Sequence, residues 1–233
     1  MKPIEPIANF GRAPEQGRIR YGVRTKGIPR SISKFRFTSS DLTALEQISK
    51  LYGGVVTPWD KGQSEVITSV SEIPVVLPPD PLSQHYEKWA GATCVRRCDG
   101  VTAQVPIKTP DGAELAEVPC VCQAEERLDC KATTRVSVIL PQIRFAGVWR
   151  LDCKGWYASQ ELPAMVHTVE QLQGRGMYRA FLALEQRQKP GKKFIVPVIR
   201  LGMTVDDLLQ QGNGPALSST PMRALESRYD AET

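Results

Sequence analysis

The sequence predicts an α+β fold in which a mixed or antiparallel sheet packs against two principal helices. Three observations support this prediction. Apolar residues recur at helical spacing near 41–52 and 160–173, several segments alternate apolar with polar side chains, and a Pro-Gly turn separates two strand-like runs. With 233 residues and 41% hydrophobic content, the chain can bury a core of its own.

Each predicted helix begins and ends at residues that favour a helix terminus. The first follows the cap-forming segment 39–41 and stops at Gly53, and the second follows Ser159 and stops at Gly174. The apolar faces consist of Leu42, Leu45, Ile48 and Leu51 in the first helix, and of Leu162, Met165, Val166, Val169 and Leu172 in the second. We therefore expect both helices to face the core.

The predicted strands are short runs with alternating or continuous apolar residues. They comprise 34–38, 55–59, 65–70, 73–77, 133–140 and 148–157, followed by a hairpin of 178–187 and 194–201 that turns at Pro190-Gly191. Two further short helices are expected at 83–89 and 206–211. Because the prolines at 78–81 cannot continue a hydrogen-bonded ladder, we place a boundary there.

Positive charge is concentrated at the N-terminal end. Residues 1–40 contain nine Lys and Arg against two acidic residues, whereas residues 41–233 contain 21 against 23. Gly and Pro disfavour regular helix here, so we predict a basic extended arm at 1–33, with at most an edge strand at 19–23. The arm residues expected to bind a partner, either an acidic protein face or nucleic acid, are Arg12, Arg18, Arg20 and Arg24. The alternative is a solvated extension without a binding role.

The remaining chain divides by composition. Residues 34–211 are expected to form the α+β domain, and 212–233, which are rich in Gly, Ser, Pro and charge, a flexible tail. The polar segment 82–131 holds five of the six cysteines and lacks a sustained apolar period. We interpret it as an insertion within the domain that a metal ion organises.

The clustered cysteines predict a structural Zn²⁺ site. Cys94 and Cys98 are separated by three residues, Cys120 and Cys122 by one, and Cys130 follows. Two close-spaced groups joined by a longer loop can deliver four thiolates to Zn²⁺. The favoured ligands are Cys94, Cys98, Cys122 and Cys130, with Cys120 as the substitute. The alternative is a set of ordinary free thiols, since a cytosolic chain is not expected to form disulfides.

The other candidate ligands and nucleophiles carry weaker signals. Cys153 lies in a strand-like run between Trp149 and Trp156, which predicts a small buried hydrophobe. His85 is an alternative zinc ligand, and His167 is expected to be an ordinary surface or core histidine. A Cys153–His167 nucleophile pair has no supporting sequence context.

The sequence contains no catalytic signature. A His-Glu-x-x-His motif, a phosphate-binding Gly-x-x-x-x-Gly-Lys-Ser/Thr loop and a Gly-x-Ser-x-Gly elbow are all missing from it. We therefore expect a binding protein without enzymatic activity. The rival functions are a zinc-containing nucleic-acid-binding module and a metal-dependent hydrolase, which needs an open zinc position with bound water.

The lengths of the apolar segments and the N-terminal residues predict where in the cell the protein is found. None approaches the roughly 20 residues that a membrane span needs, and the chain begins Met1-Lys2-Pro3 without an apolar signal core. We expect a cytoplasmic protein, without a membrane partner.

Seven short motifs occur in one order along the chain. They are Gly17-Arg18-Ile19-Arg20, Phe35-Arg36-Phe37-Thr38, Leu51-Tyr52-Gly53-Gly54, Cys94-Val95-Arg96-Arg97-Cys98-Asp99-Gly100, Pro119-Cys120-Val121-Cys122, Cys130-Lys131-Ala132-Thr133-Thr134-Arg135 and Gly147-Val148-Trp149-Arg150-Leu151. Together they resemble the phage recombination directionality factors that accompany large serine integrases in actinophages. The resemblance spans about residues 17–200.

The resemblance implies an accessory protein of a bacteriophage, acting in the bacterial host cell, that binds a DNA-bound serine integrase. Integrase alone joins attP to attB, and with such a factor it joins attL to attR and excises the prophage. The family is understood to act through the C-terminal zinc-containing region and coiled coil of the integrase. One departure is Asp152-Cys153-Lys154-Gly155, where the family pattern has Glu-Ser-His-Gly, so no family role for a histidine transfers to this position.

Overall fold

The structure is a computed structural model that describes residues 14–109, 112–124, 130–144, 147–173 and 178–201. The predicted helix at 206–211, the predicted tail at 212–233 and Arg12 lie outside the described residues.

Thirteen strands and three helices make up the described part of the chain. The strands are β1 Glu15–Thr25, β2 Ile28–Ser39, β3 Val56–Pro58, β4 Ser64–Ile67, β5 Glu72–Leu77, β6 Leu82–Ala90, β7 Thr93–Cys98, β8 Thr102–Thr109, β9 Gly112–Pro119, β10 Lys131–Val138, β11 Val148–Cys153, β12 Tyr178–Lys189 and β13 Lys192–Leu201. The helices are α1 Leu42–Tyr52, α2 Val121–Ala124 and α3 Trp156–Gln173.

Ten of the strands form one mixed sheet, in the order β3-β4-β2-β1-β11-β10-β6-β7-β8-β9. The pair β1 and β11 is parallel, and the other neighbours are antiparallel. A second, antiparallel sheet has the order β13-β12-β5. The predicted α+β class, with a mixed sheet and two principal helices, is confirmed.

The two faces of the large sheet differ in character because successive side chains of a strand point to opposite sides. On one face Ile19 lies opposite Phe37 and Leu151, and all three are buried in the main core. Their chain neighbours Arg18 and Arg150 pair with each other in the register, so they lie on the opposite face. That face carries a continuing row of charged residues, described below.

Helix α1 covers one end of the core. Asp41 forms its N-cap, since Asp41 Oδ1 accepts a hydrogen bond from the Ala44 amide at 3.0 Å. The helix ends at Gly53, whose φ of 76° is the left-handed conformation that glycine tolerates. Its buried face is rotated from the predicted one: Leu45 and Ile48 are buried as expected, Leu42 and Leu51 are exposed, and Ala44 and Tyr52 are buried instead.

Helix α3 covers the middle of the core. It begins at Trp156, three residues before the predicted cap, and packs against both sheets. Leu162, Val166 and Val169 of the predicted apolar face are buried in the main core, and Met165 packs at its edge. Among the described residues, no helix combines the length and the apolar character needed to cross a bilayer.

Two predicted segments fold differently. The predicted helix at 83–89 is wrong, because these residues lie in β6, which hydrogen-bonds to β10 on one side and β7 on the other. Pairing on both edges outweighs the weak helical pattern. The predicted extended arm is likewise replaced from residue 15 onward by β1 and β2, and β1 is an inner strand with Ile19 only 1% exposed.

Candidate metal centre and basic cleft

Four cysteines converge where β7, β9 and β10 meet. Cys98 is the last residue of β7, Cys120 directly follows β9, Cys122 lies in the single turn of α2, and Cys130 directly precedes β10. The register explains the convergence: Tyr86 of β6 lies between Cys98 and Ala132, so the end of β7 and the start of β10 lie close together.

The backbone around these thiols is well organised. A turn follows β7, in which the carboxylate Oδ1 of Asp99 accepts hydrogen bonds from the amides of Val101 and Thr102, both at 2.7 Å. The amide of Cys120 donates to the carbonyl of Val101 at 2.7 Å, which holds the end of β9 against that turn. Cys98 and Cys120 are thereby brought together from two hairpins.

The thiols contact one another in two pairs. Cys98 Sγ donates to Cys120 Sγ at 3.4 Å and accepts a hydrogen bond from the amide of Gly100 at 3.1 Å. Cys122 and Cys130 form the second hydrogen-bonded pair. The side chains of Cys98 and Cys130 are 3% and 2% exposed, whereas Cys120 and Cys122 are half-buried.

Burial affects the two most buried thiols of the cluster, Cys98 and Cys130. It raises the pKa of Cys98, and Cys120 and Cys122 beside it add to the effect. Burial, with Cys122 and Cys98 nearby, raises the pKa of Cys130 to about 11, although Arg96 acts in the opposite direction. Among the described residues, no group of three or more His, Cys, Asp or Glu side chains is arranged to hold a metal ion.

Cys94 is placed apart from the other four. Both Cys94 and Cys98 lie in β7, where four residues of extended chain span roughly 13 Å. Cys94 Sγ donates instead to the carbonyl of Arg96 at 3.3 Å, and its register partner is Trp89. Cys94 and Cys98, which are close in sequence, are therefore not brought together in space, because the intervening residues form a strand.

The remaining candidates also lie elsewhere. His85 pairs with Thr133, one register step from the Tyr86–Cys98 pair, so it is on the opposite face of the sheet from Cys98. The prediction of Cys153 as a buried hydrophobe is confirmed: it is 1% exposed in the main core, where burial raises its pKa. His167 is exposed on α3.

The charged face of the large sheet forms an open cleft of about 1220 Å³. Two acidic residues line it, Glu65 and Asp152. The nine basic residues that line it are Arg18, Arg20, Arg24, Arg30, Arg36, Arg97, Arg135, Arg150 and Lys154. Burial, and then the neighbouring guanidinium groups of Arg18 and Arg36, lower the pKa of Arg20.

Two tryptophans lie among these cations. The guanidinium groups of Arg20 and Arg36 stand 5.3 and 4.8 Å from the ring centre of Trp59, and the ammonium of Lys154 stands 5.5 Å from that of Trp89. Cation–π contacts of this kind fix the orientation of long basic side chains. The cleft is therefore both basic and partly preorganised.

The predicted partner-binding arginines have different environments in the cleft. Arg18 forms ion pairs with Glu15 at 2.8 Å and Asp152 at 3.5 Å, and Arg20 lies over Trp59. Arg24 is exposed and forms no ion pair among the described residues. Arg30, which the sequence analysis did not single out, is also exposed and lines the cleft, and it pairs with Val23 in the β1–β2 hairpin, one register step from the Arg24–Pro29 pair.

The thiol cluster and the cleft both fall in the part of the chain that matches a known family. A family described as Gp3-like, recombination directionality factor-like, matches residues 16–203. The chain belongs to this family. Comparison with curated proteins gives no match, and comparison with solved structures gives none either. The resemblance inferred from the seven sequence motifs is confirmed at the level of the family.

Sequence reasoning missed two features of this Gp3-like protein. The cleft depends on arginines from five strands, and only the register brings Arg36, Arg97 and Arg135 to the face that holds Arg18 and Arg20. Period-two alternation along β1 could have revealed part of it, since Arg18 and Arg20 flank the buried Ile19. The proximity of Cys120 to Cys98 depends on the β8–β9 hairpin, which the sequence analysis did not predict.

Proposed function

We propose that this chain is a recombination directionality factor that binds a large serine integrase assembled on DNA. In its presence, the integrase would change from joining attP with attB to joining attL with attR. The observation that supports this most strongly is the family match at 16–203, which takes in all three helices and nearly all of every strand.

Such a switch needs no catalytic group on this chain. A ligand shifts an equilibrium only by the difference in its affinity for the two states. Moving a two-state equilibrium from 1:99 to 99:1 requires about 5.5 kcal/mol of differential binding. A rigid surface that fits one synaptic arrangement of the integrase better than the other is sufficient, and the chemistry of strand exchange remains with the integrase.

The large sheet is suited to this role because its basic residues are held on strands. β1 lies between β2 and β11, so its arginines have fixed positions relative to the arginines of β2 and β11. Side chains on paired strands are positioned more accurately than those on a loose arm. We assign the cleft as the surface that contacts the negatively charged face of the integrase–DNA complex, where unlike charges favour encounter.

The test is recombination with the purified cognate integrase. We expect the protein to bind integrase in a pull-down, to promote attL × attR joining and to inhibit attP × attB joining. If the protein binds integrase but both recombination reactions proceed unchanged, the proposed role in switching direction is wrong. A protein that neither binds integrase nor alters either reaction would contradict the proposal as a whole.

Direct binding to nucleic acid is a second candidate, and the cleft is the observation that favours it. Nine basic side chains and two tryptophans on one face suit a phosphate backbone and exposed bases. This candidate predicts tight duplex binding without integrase, with an affinity that falls steeply as salt is raised. The proposal of a directionality factor predicts instead that the protein binds duplex DNA weakly when alone and more tightly when integrase is present.

A further inference from the structure

We propose that Cys98, Cys120, Cys122 and Cys130 together bind one Zn²⁺ as a closed four-thiolate site, and that Cys94 is not a ligand. This assignment does not depend on which partner the protein binds or on the role of the basic cleft. It differs from the ligand set that cysteine spacing favours, because it uses Cys120 in place of Cys94.

The separation of Cys98 and Cys120 is close to the one that a zinc site requires. Zn–S bonds of about 2.3 Å in a tetrahedron place the sulfur atoms about 3.8 Å apart. Cys98 and Cys120 already have their sulfur atoms 3.4 Å apart, and Cys122 and Cys130 are in hydrogen-bond contact. Replacing the shared thiol proton of Cys98 and Cys120 by a metal requires this pair to part by only a few tenths of an ångström, well within side-chain adjustment.

The elements around the cluster have little else to hold them together. Of the described residues between 83 and 131, none belongs to the hydrophobic core clusters. The fully buried side chains there are Glu87, Cys98, Ala103 and Cys130. Two of these four are thiols of the cluster. An alanine and two thiols are a small apolar core for the four strands β6 to β9, whereas metal binding supplies local folding free energy directly.

The environment also suits the charge of the site. Four thiolates and one Zn²⁺ carry a formal charge of −2, which needs nearby donors or cations. The amide of Gly100 already donates to Cys98 Sγ at 3.1 Å, and the positive charge of Arg96 acts on Cys130. Soft thiolate ligands select zinc over hard cations such as Mg²⁺.

The ligand set predicts which substitutions release the metal. The test is the zinc content, by elemental analysis, of protein purified without added metal, for the full chain and five single variants. We expect one zinc per chain for the unaltered protein and for Cys94→Ser, which serves as the matched control on the same strand as Cys98. We expect loss of most of the zinc in Cys98→Ser, Cys120→Ser, Cys122→Ser and Cys130→Ser. Zinc loss from Cys94→Ser, or its retention in all four ligand variants, would overturn the assignment.

A spectroscopic measurement on the unaltered protein covers the case in which a ligand variant fails to fold. X-ray absorption at the zinc edge should give four sulfur neighbours at about 2.3 Å. Replacement by Co²⁺ should give the intense visible bands of a tetrahedral tetrathiolate. A shell that includes oxygen or nitrogen would overturn the closed site and favour an open, hydrolase-like centre. A metal-free protein with six free thiols would overturn zinc binding altogether.

Discussion

The carboxylate of Glu87 is completely buried and accepts a hydrogen bond from Arg135 Nη2 at 2.8 Å. Arg97 Nε and Trp89 Nε1 donate to the same carboxylate at 3.2 and 3.0 Å. These contacts join β6, β7 and β10 of the large sheet, and β7 and β10 also border the thiol cluster. A buried carboxylate therefore connects three strands on the charged face of the sheet.

We expect Glu87→Gln to lower the free energy of unfolding by about 2 kcal/mol, because it removes a charged hydrogen-bond acceptor from the largely buried Arg135 and leaves it the longer ion pair with Asp152 at 3.3 Å. Urea denaturation at neutral pH measures the change. The exposed Glu117→Gln on β9 is the control and should cost little. A difference below about 0.5 kcal/mol between the two variants would contradict the central role of Glu87.

The Glu87 carboxylate also predicts that the free energy of unfolding depends on pH. Burial alone would raise the pKa of Glu87, but hydrogen bonds from Arg135 and Trp89 outweigh it and hold the pKa below its ordinary value. The stabilisation is thus fully present above the unfolded-state pKa of about 4.5 and is lost as the pH falls through the lower, folded-state pKa. The difference in the free energy of unfolding between the unaltered protein and Glu87→Gln should become smaller in that acidic range. A difference that stays constant down to acid unfolding would show that Glu87 acts by packing alone.

Some elements were predictable because local and tertiary preferences agree. Asp41 caps α1 and Gly53 ends it, as the local sequence predicts. The hairpin of β12 and β13 turns at Pro190-Gly191, and Gly191 has the positive φ of 75° that such a turn uses. In these cases a few neighbouring residues determine the conformation, so the sequence alone carries the information.

Other elements depend on partners that are remote in sequence. β6 is a strand because β10 pairs with it from Lys131 to Val136, some 50 positions along the chain. β1 is an inner strand because β11 binds it in parallel, a pairing that composition does not reveal. The thiol cluster shows the same limit, since spacing identified the right segment, but only the β8–β9 hairpin brings Cys120 next to Cys98.

Removing the metal should increase hydrogen exchange around the thiol cluster before it does so in the main core. We expect a zinc chelator to increase hydrogen exchange in β7, β8, β9 and α2, because the described residues there contribute nothing to the main core. Strands such as β2 and β11, which supply Phe37 and Leu151 to that core, should keep their protection. Cys94→Ser should behave like the unaltered protein. A uniform loss of protection along the chain would contradict a local role for the metal.

Trp156 is a candidate contact with the integrase outside the cleft. It is the first residue of α3, is 61% exposed, and lines a hollow of about 260 Å³ with Gln84, His85 and Asp99. Exposed tryptophans beside a hollow are often the residues on which binding energy depends. We expect Trp156→Ala to weaken integrase binding about tenfold while leaving the thermal midpoint nearly unchanged.

Leu115→Ala on the β8–β9 hairpin provides the comparison, since Leu115 is 67% exposed and has a large apolar side chain as well. Titration of labelled integrase gives the affinities. Equal losses of affinity for the two variants would indicate a general effect of surface hydrophobicity and would remove Trp156 as a specific contact.

The last prediction separates capture of the integrase from the choice of direction. Arg24 and Arg30 line the cleft without an ion pair among the described residues, so their removal changes charge with little effect on the fold. Arg18 and Arg20 are less suitable, because Arg18 is ion-paired and Arg20 lies over Trp59. We expect Arg24→Ala combined with Arg30→Ala to weaken binding to the integrase–DNA complex most at low salt, where screening is least.

Saturating amounts of this double variant should still convert the integrase to attL × attR joining. Long-range attraction speeds encounter with either synaptic arrangement, whereas discrimination needs close contact with the rigid body of the sheet. Lys192→Ala with Lys193→Ala, an equal loss of charge on exposed residues of β13 outside the cleft lining, is the matched control and should bind nearly as the unaltered protein does. If the arginine variant binds at saturation but no longer supports attL × attR joining, then Arg24 and Arg30 select the synaptic state themselves, and the separation of capture from direction is wrong.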